Sequence, residues 1–444
     1  MSWIPAFVFL IFGMTVVNWI WGNVLYRSDK HRKLIFGLGI ALNLLCLGVF
    51  KYADFAVSSL DSSIGLLTGN NPGWAVQIIL PLAISFFTFE FIHYLFDIYR
   101  GNKPIDSFIL FALFAAFFPT QIAGPIKRYP DFAAQMKKDK PLRLSYFDTG
   151  IPLIVIGLAK KILIADNLAV FVDMGYKVPG AFGAPELWLF AYAFAFQIYF
   201  DFSGYTDVAR GSARLFGYDI PINFNMPYIA NNMSNFWHRW HISLSTWLRD
   251  YLFIPLGGSR GSKWITNRNL FLTMTLGGLW HGASWNFVVW GIYHGLALVV
   301  HREFSELKNS IKPLKNFFES KAGKAFSIFL TFHAVCIGWV FFRVQDIGTA
   351  FSIITKMLSF KQIYSGAAAH SFLVLEPHLP VISITATVMV LILLLLNIPV
   401  SRLNEKEIFK KAPAPVKGVF LTALILLMII FLPDGSQPFI YFQF

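Results

Sequence analysis

NLFLTMTLGGLWHGASWNFVVWGIYHGLALVV, Asn269 to Val300, is the stretch on which the reading of this chain turns. It holds no Asp, Glu, Lys or Arg, and it stands between Arg260, Lys263 and Arg268 on one side and Arg302 on the other. An uncharged run of this length belongs in hydrocarbon, because a helix needs only roughly 18 or more apolar residues to cross a core of about 30 Å. Both flanks are basic, and basic loops stay on the cytoplasmic side, so the run must enter the membrane and return. Two arms of about 16 residues each reach only about 24 Å. The run is therefore expected to form a helical hairpin or broken pair whose apex, GGLWHGASWN at Gly277 to Asn286, lies within the membrane. Irregular backbone at that depth is tolerated only where protein or a watery cavity surrounds it, so the apex should line a tunnel.

The rest of the 444-residue chain has the same character: 56% hydrophobic, 17% aromatic, 14% charged, with a mean hydropathy of +0.57. That balance excludes an ordinary soluble domain. The formal charge of +13 sits in short loops between apolar runs, where it sets topology, and no aromatic-interleaved basic patch suggests nucleic acid. Cys46 and Cys336 each lie inside an apolar run, so neither a disulfide framework nor a thiolate metal cluster can be built. The first run, Trp3 to Leu25, lacks a basic n-region and a cleavage pattern and reads as an uncleaved span.

Full spans fit near 4–25, 34–57, 74–98, 147–172, 187–206, 326–342, 381–399 and 418–433, with a further dip and return at Ser107 to Pro125. The basic loop Arg27 to Lys33 faces the cytoplasm, which places the N-terminus outside; eight crossings then return the C-terminus, with Asp434, to the outside. The expected fold is all-α and polytopic: about eight full spans and two or three re-entrant or partial helices around a central tunnel, about eleven helical membrane elements in all. No repeat or inverted half is evident, so residues 1–444 read as one domain.

An ionisable group at the centre of a bilayer costs at least about 2.5 to 3.5 kcal/mol, so each one needs a reason. Glu90, His93 and Asp97 share one helix face, as packing between helices or as a tunnel lining. Lys160 and Lys161 precede Asp166 and Asn167 and suit a structural pairing or an interface. Asp201, Ser203, Tyr205, Asp207 and Arg210 follow a long apolar helix, where Ser203 and Gly204 suit a bend or helix end; acid-to-Arg bonding that fixes it and a substrate contact are both compatible. His238 and His241, three apart among Trp237, Trp240 and Trp247, would share a helix face, though interface anchoring explains much of this group. They lack a Glu or Asp at metal-ligand spacing, and no metal site is expected. His281 stands in a glycine-rich break with Gly277, Gly278 and Gly282, as a histidine that holds the break together or as a general base.

FFPTQIAGPIKRYPDFAAQM, FDFSGYTDVARGSARLFGYDIPINFNMPY, NFWHRWHISLSTWLRDYLFIPLGG, GGLWHGASWNFVVWGIYHG and GWVFFR occur in this order. The chain thereby resembles the membrane-bound O-acyltransferase (MBOAT) family and its bacterial alginate O-acetyltransferase, AlgI-like branch, strongly over roughly residues 80 to 345. The resemblance implies a tunnel from a cytoplasmic donor side to an outer acceptor side, with the two signature histidines at His281 and His241. His281 is then the candidate base, and His241 orients the acyl donor or a group that stabilises the oxyanion. Asn235 and Trp240 are candidate supports, and Trp280, His238, Asp201, Ser203, Tyr205 and Asp97 are candidate tunnel or substrate contacts. No tightly bound cofactor is expected; acetyl-CoA or an acyl carrier thioester is the donor.

The expected activity is an O-acetyltransferase of the bacterial inner membrane that modifies an extracytoplasmic, alginate-like polysaccharide. Transfer to peptidoglycan, cellulose or teichoic acid changes only the acceptor. A channel or transporter is the alternative of another class. The outer segment 344–380 is too short for a carbohydrate-binding domain, so an outer-side partner protein is expected beside membrane lipids and the polysaccharide.

Overall fold

The computed structural model describes residues 5–359, 379–401, 411–432 and 437–440. Among them the regular structure is helical, with no strand. Long apolar segments without water must satisfy their backbone internally, and a helix does that within one segment. Among the described residues three helices are long and apolar enough to cross a membrane: Phe7–Arg27, the continuous Arg32–Thr68 and Lys321–Arg343. Shorter apolar helices include Phe108–Thr120, Ile347–Leu358, Ile384–Leu396 and Ala414–Ile430. The described residues fall into two compact units, one within Met1–Phe147 and Ala213–Pro221, the other within Asp148–Ser212 and Ile222–Phe444.

The first unit contains α1 (Phe7–Arg27), α2 (Arg32–Leu47), α3 (Ala53–Thr68), α4 (Ile84–Tyr99), α5 (Phe108–Ala115) and α6 (Tyr129–Met136). A wide turn at Gly48–Tyr52 joins α2 to α3, so this helix runs past the expected end at 57. The span expected at 74–98 is helical only from Ile84; residues 74–81 are irregular, with Pro81 and a left-handed Ala83 (φ 64°) just before the helix. Proline favours the first turn of a helix and not its interior, which accounts for the late start. Asn18 and Asn43, both buried, exchange amide hydrogen bonds of 3.1 and 2.8 Å and pin α1 to α2.

One member of the polar face of α4, Glu90, has its partner within this unit. Glu90 pairs with Lys127, whose Nζ also donates to Thr120 Oγ1 at 3.1 Å and lies 4.9 Å from the Phe114 ring centroid. Both members of the pair are buried. The dip expected at 107–125 is α5, eight residues started by a Ser107 cap and followed by a break, which rises only about 12 Å.

The second unit contains α7 (Leu144–Ala159, counted from Asp148), α8 (Asp166–Lys177), α9 (Ala184–Leu215, counted to Ser212), α10 (Met233–Trp237), α11 (Ile242–Leu248), α12 (Lys263–His281), α13 (Trp285–Ser310), α14 (Lys312–Glu319), α15 (Lys321–Arg343), α16 (Ile347–Leu358), α17 (Leu379–Ser401) and α18 (Ala414–Ile430). No helix end falls at Ser203–Gly204: α9 runs through them as one helix of 32 residues. Gly204 serves close approach instead, since a Cβ there would stand 2.6 Å from the carbonyl oxygen of Gly157. Part of segment 344–380 and Asp434 lie outside the described residues.

The hairpin forms, with α12 and α13 as its arms. A Cβ on Gly278 would meet the Phe287 carbonyl at 2.3 Å, and one on Gly291 the Met274 carbonyl at 2.5 Å, so the arms touch through glycine. Within the uncharged run the arms cover 269–281 and 285–300, and both helices continue beyond it through charged residues, to Lys263 and to Ser310. One expectation needs correction. Gly277 and Gly278 lie inside α12, and the break is confined to residues 282–284.

Candidate functional site

His281 is the last residue of α12. The helix stops because Gly282 takes an extended backbone (φ −160°, ψ 150°). The imidazole is 7% exposed and sits among rings: Trp290 at 5.0 Å, edge on, Phe342 at 5.4 Å and the neighbouring Trp280 at 5.1 Å.

His241 enters from the α10–α11 connection, where it adopts a left-handed backbone (φ 42°) at the start of α11. Such a conformation in a residue other than glycine costs energy and must be held by its surroundings. Asn223 holds it here: its carbonyl accepts from Ile242 N at 2.9 Å, and its side-chain oxygen accepts from Ser243 N and Oγ at 3.1 and 2.6 Å. His241 is fully buried, 4.7 Å from the Phe202 ring and 6.4 Å from the ring of His281. Two imidazoles distant in sequence thus stand close together.

His238 does not join them. The helix ends at Trp237, so the shared helix face expected of His238 and His241 does not exist; His238 is exposed and bonds the Ser234 carbonyl through Nδ1 at 2.6 Å. Asn235 is likewise turned to a local role, accepting from Arg239 Nε at 3.0 Å. Trp240 is buried against Trp339, 4.8 Å between centroids, and Trp280 lies 6.3 Å from His241. Asp97 belongs to the first unit.

Asp201 meets Lys161 at 2.7 Å, and Lys161 also meets Asp166 at 2.7 Å. Asp201 accepts a backbone bond from Ile440 at 2.9 Å, and Lys161 lies over the Phe439 ring at 4.7 Å. Tyr205 packs against Phe439 at 5.1 Å, and buried Ser203 has a hydroxyl with no hydrogen-bond partner among the described residues. Lys160 takes a separate acid, Asp207, at 2.7 Å, and Asp207 also pairs with Arg210.

Beside the hairpin tip is a cavity of about 450 Å³. Gly282, Phe287 and Phe342, which follow or flank His281, form part of its wall, and so do Lys161, Asp201 and Arg343. Two residues of this region were not singled out from sequence. His294, fully buried one helical turn beyond Trp290 and 4.7 Å from its ring, lies in the quoted WGIYHG block. Gln197, also in the wall, is a lone amide in a long apolar run, and that isolation was the available signal.

A family model described as MBOAT, membrane-bound O-acyltransferase family, matches residues 105–342, a stretch that holds both histidines, Lys161 and Asp201. The chain belongs to this family. As an MBOAT protein it is a membrane acyltransferase. It is 41% identical to "Probable alginate O-acetylase AlgI" of Pseudomonas aeruginosa over 81% of this chain and 67% of that protein. It is 36% identical to the peptidoglycan O-acetyltransferase of Helicobacter pylori over 80% of this chain and 71% of that one. The teichoic acid D-alanyltransferase of Bacillus subtilis is 32% identical over 75% and 83%. These three names share acyl transfer and differ in acceptor and acyl group.

Proposed function

We propose that this MBOAT protein takes an acetyl group from a cytoplasmic thioester, acetyl-CoA or an acyl carrier, and delivers it to hydroxyls of an extracytoplasmic, alginate-like polysaccharide. The observation that carries the reading is the pair of buried imidazoles, 6.4 Å apart, at an uncharged hairpin tip beside a cavity. A thioester is already activated, so the site must align two substrates and manage one proton. His281 takes the proton of the attacking hydroxyl as the new C–O bond forms. The tetrahedral intermediate collapses, the C–S bond breaks, and the proton goes to the leaving thiolate. His241, held in its strained backbone by Asn223, orients the acyl donor or the oxyanion.

Basic loops place the Lys263 end of the hairpin in the cytoplasm and both chain termini outside, in a bacterial inner membrane with about eight full spans and two or three partial ones. An outer-side partner protein completes transfer along the polymer. The acceptor follows the alginate relatives, while the peptidoglycan relative supports a second acceptor within the same chemistry. An ion path is disfavoured because the buried ionisable groups Glu90, Lys127, Lys161 and Asp201 are all engaged in ion pairs.

The test is turnover of radiolabelled acetyl-CoA by the purified protein, compared with His281→Ala. Loss of turnover in a variant that keeps its melting temperature supports the base; unchanged turnover ends the assignment.

A further inference from the structure

Between α1 and α2 the basic loop Arg27 to Lys33 turns one of its cations inward. Arg32 donates from Nη2 to the carbonyls of Ile98 and Tyr99 at 2.8 and 3.1 Å, and its guanidinium lies 5.8 Å from the Tyr99 ring centroid. It thereby serves the open carbonyls at the end of α4. Lys30, His31 and Lys33 remain outside. All three are exposed, and none of their side chains has a hydrogen bond or ion pair among the described residues. Asp29 is the one acid of the loop, against Arg27, Lys30, His31, Arg32 and Lys33, so positive charge is left unanswered.

α2 rises directly from these cations. Leu34, Gly37 and Leu38 share one face of the helix, at i, i+3 and i+4, and the two leucines are 60% and 50% exposed. A Cβ on Gly37 would meet nothing within 4 Å, so the glycine leaves a hollow beside the leucines. Leu45, also exposed, continues the same face about 16 Å further along the helix. Lys30, His31 and Lys33 border a single groove with Leu34, Gly37 and Leu38, about 550 Å³ in volume. One end of it is charged and the other is hydrocarbon. Lysines beside a membrane helix are drawn to the negative surface of the cytoplasmic leaflet, and basic pockets at that depth hold anionic headgroups.

We propose that this groove is a binding site for one anionic phospholipid of the cytoplasmic leaflet. The phosphate sits among Lys30, His31 and Lys33, and an acyl chain runs past Gly37 along Leu34 and Leu38. A zwitterionic lipid gains less, because its own cation offsets its phosphate. A soluble phosphate, such as that of coenzyme A, would meet the charge and leave the apolar half of the groove empty; a phospholipid uses both halves. The inference needs the basic loop to face the cytoplasm and is independent of the acyl-transfer reading.

The experiment titrates the full chain in mixed micelles with dioleoyl phosphatidylglycerol or dioleoyl phosphatidylcholine and counts bound lipid by native mass spectrometry. Phosphatidylglycerol should bind at least about tenfold more tightly than phosphatidylcholine, and the difference should shrink as salt rises. Lys30→Gln with Lys33→Gln, two exposed changes, should weaken phosphatidylglycerol by about tenfold or more and leave the melting temperature in detergent unchanged. Gly37→Leu fills the hollow with a residue better suited to a helix, and it should weaken both lipids at this site. That variant carries the test if the lysine variant does not fold. Equal affinity for the two lipids overturns recognition by charge. Unchanged phosphatidylglycerol affinity in the lysine variant overturns the headgroup position, and the same result in Gly37→Leu overturns the path of the acyl chain. Displacement of phosphatidylglycerol by coenzyme A or by inorganic phosphate overturns the lipid as occupant and makes the groove a site for soluble phosphate.

Discussion

Gly157 on α7 and Gly204 on α9 meet backbone to backbone: a Cβ on Gly157 would lie 2.5 Å from the Gly204 carbonyl oxygen, and the reverse distance is 2.6 Å. Seven residues away on each helix the contact repeats, with a Cβ on Gly211 falling 2.6 Å from the Gly150 carbonyl oxygen. Small residues let helices approach closely where lipid offers no hydrophobic drive to association. The seam also brings the wide helical segment Lys160–Ala165, which continues α7 into α8, to α9, so that Lys160 and Lys161 reach Asp207 and Asp201.

Gly157→Ala or Gly204→Ala should therefore force α7 from α9 and cost about 1–3 kcal/mol, the usual penalty of overpacking. Thermal unfolding in detergent reads this directly. A melting temperature equal to that of wild type in both variants would show that the contact carries no stability.

Lys161 is the partner of two buried carboxylates, so Lys161→Met should destabilise the protein by about 3–5 kcal/mol, the cost of stranding buried charge. Adding Asp201→Asn should recover part of that loss. A double variant no more stable than the single would mean that the two residues do not act as a pair.

The three histidines of the sequence reading are expected to separate in function. His281→Ala should lower acetyl transfer by about 10²- to 10⁴-fold, the range of a general base. His241→Ala should also be damaging, and His238→Ala should stay near wild type because that ring lies on the surface. Equal rates in the three variants, measured at matched folded fraction, would refute the ranking.

In the first unit, Lys127→Met should destabilise by about 3–5 kcal/mol through an uncompensated Glu90, and Lys127→Met with Glu90→Gln should be milder. Thioester turnover by the double variant checks that the pair is packing. Abolished turnover in a stable double variant would return the α4 stripe to the catalytic question.

The uncharged run Asn269–Val300 and its basic flanks announced a hairpin, because hydropathy and charge are local properties that length converts into topology. His281 and His241 were paired by the resemblance of five ordered motifs to the MBOAT family, in which they are the signature histidines. Other features misled. The spacing of His238 and His241 suggested one helix face, yet the chain breaks between them, since Asn223, some 20 residues upstream, holds His241 in a left-handed conformation that no local pattern encodes. The Ser203–Gly204 pair also offered a helix end, yet the helix runs through it and the glycine makes contact with α7. Gln197 and His294 passed unnoticed because a single polar residue in an apolar helix gains meaning only from the wall it faces.

By itself the sequence determined solvent, class and chemistry: a chain too apolar for water, helical because lipid leaves the backbone no outside partner, and carrying two histidines in recognisable surroundings. Tertiary structure alone decided that these histidines stand 6.4 Å apart, that Lys161 answers Asp201, and that a cavity lies beside the hairpin tip. The reason is physical. Insertion is set residue by residue, by transfer from water to lipid, whereas the site is set by which helix faces meet, and that depends on steric fit between segments far apart in the chain.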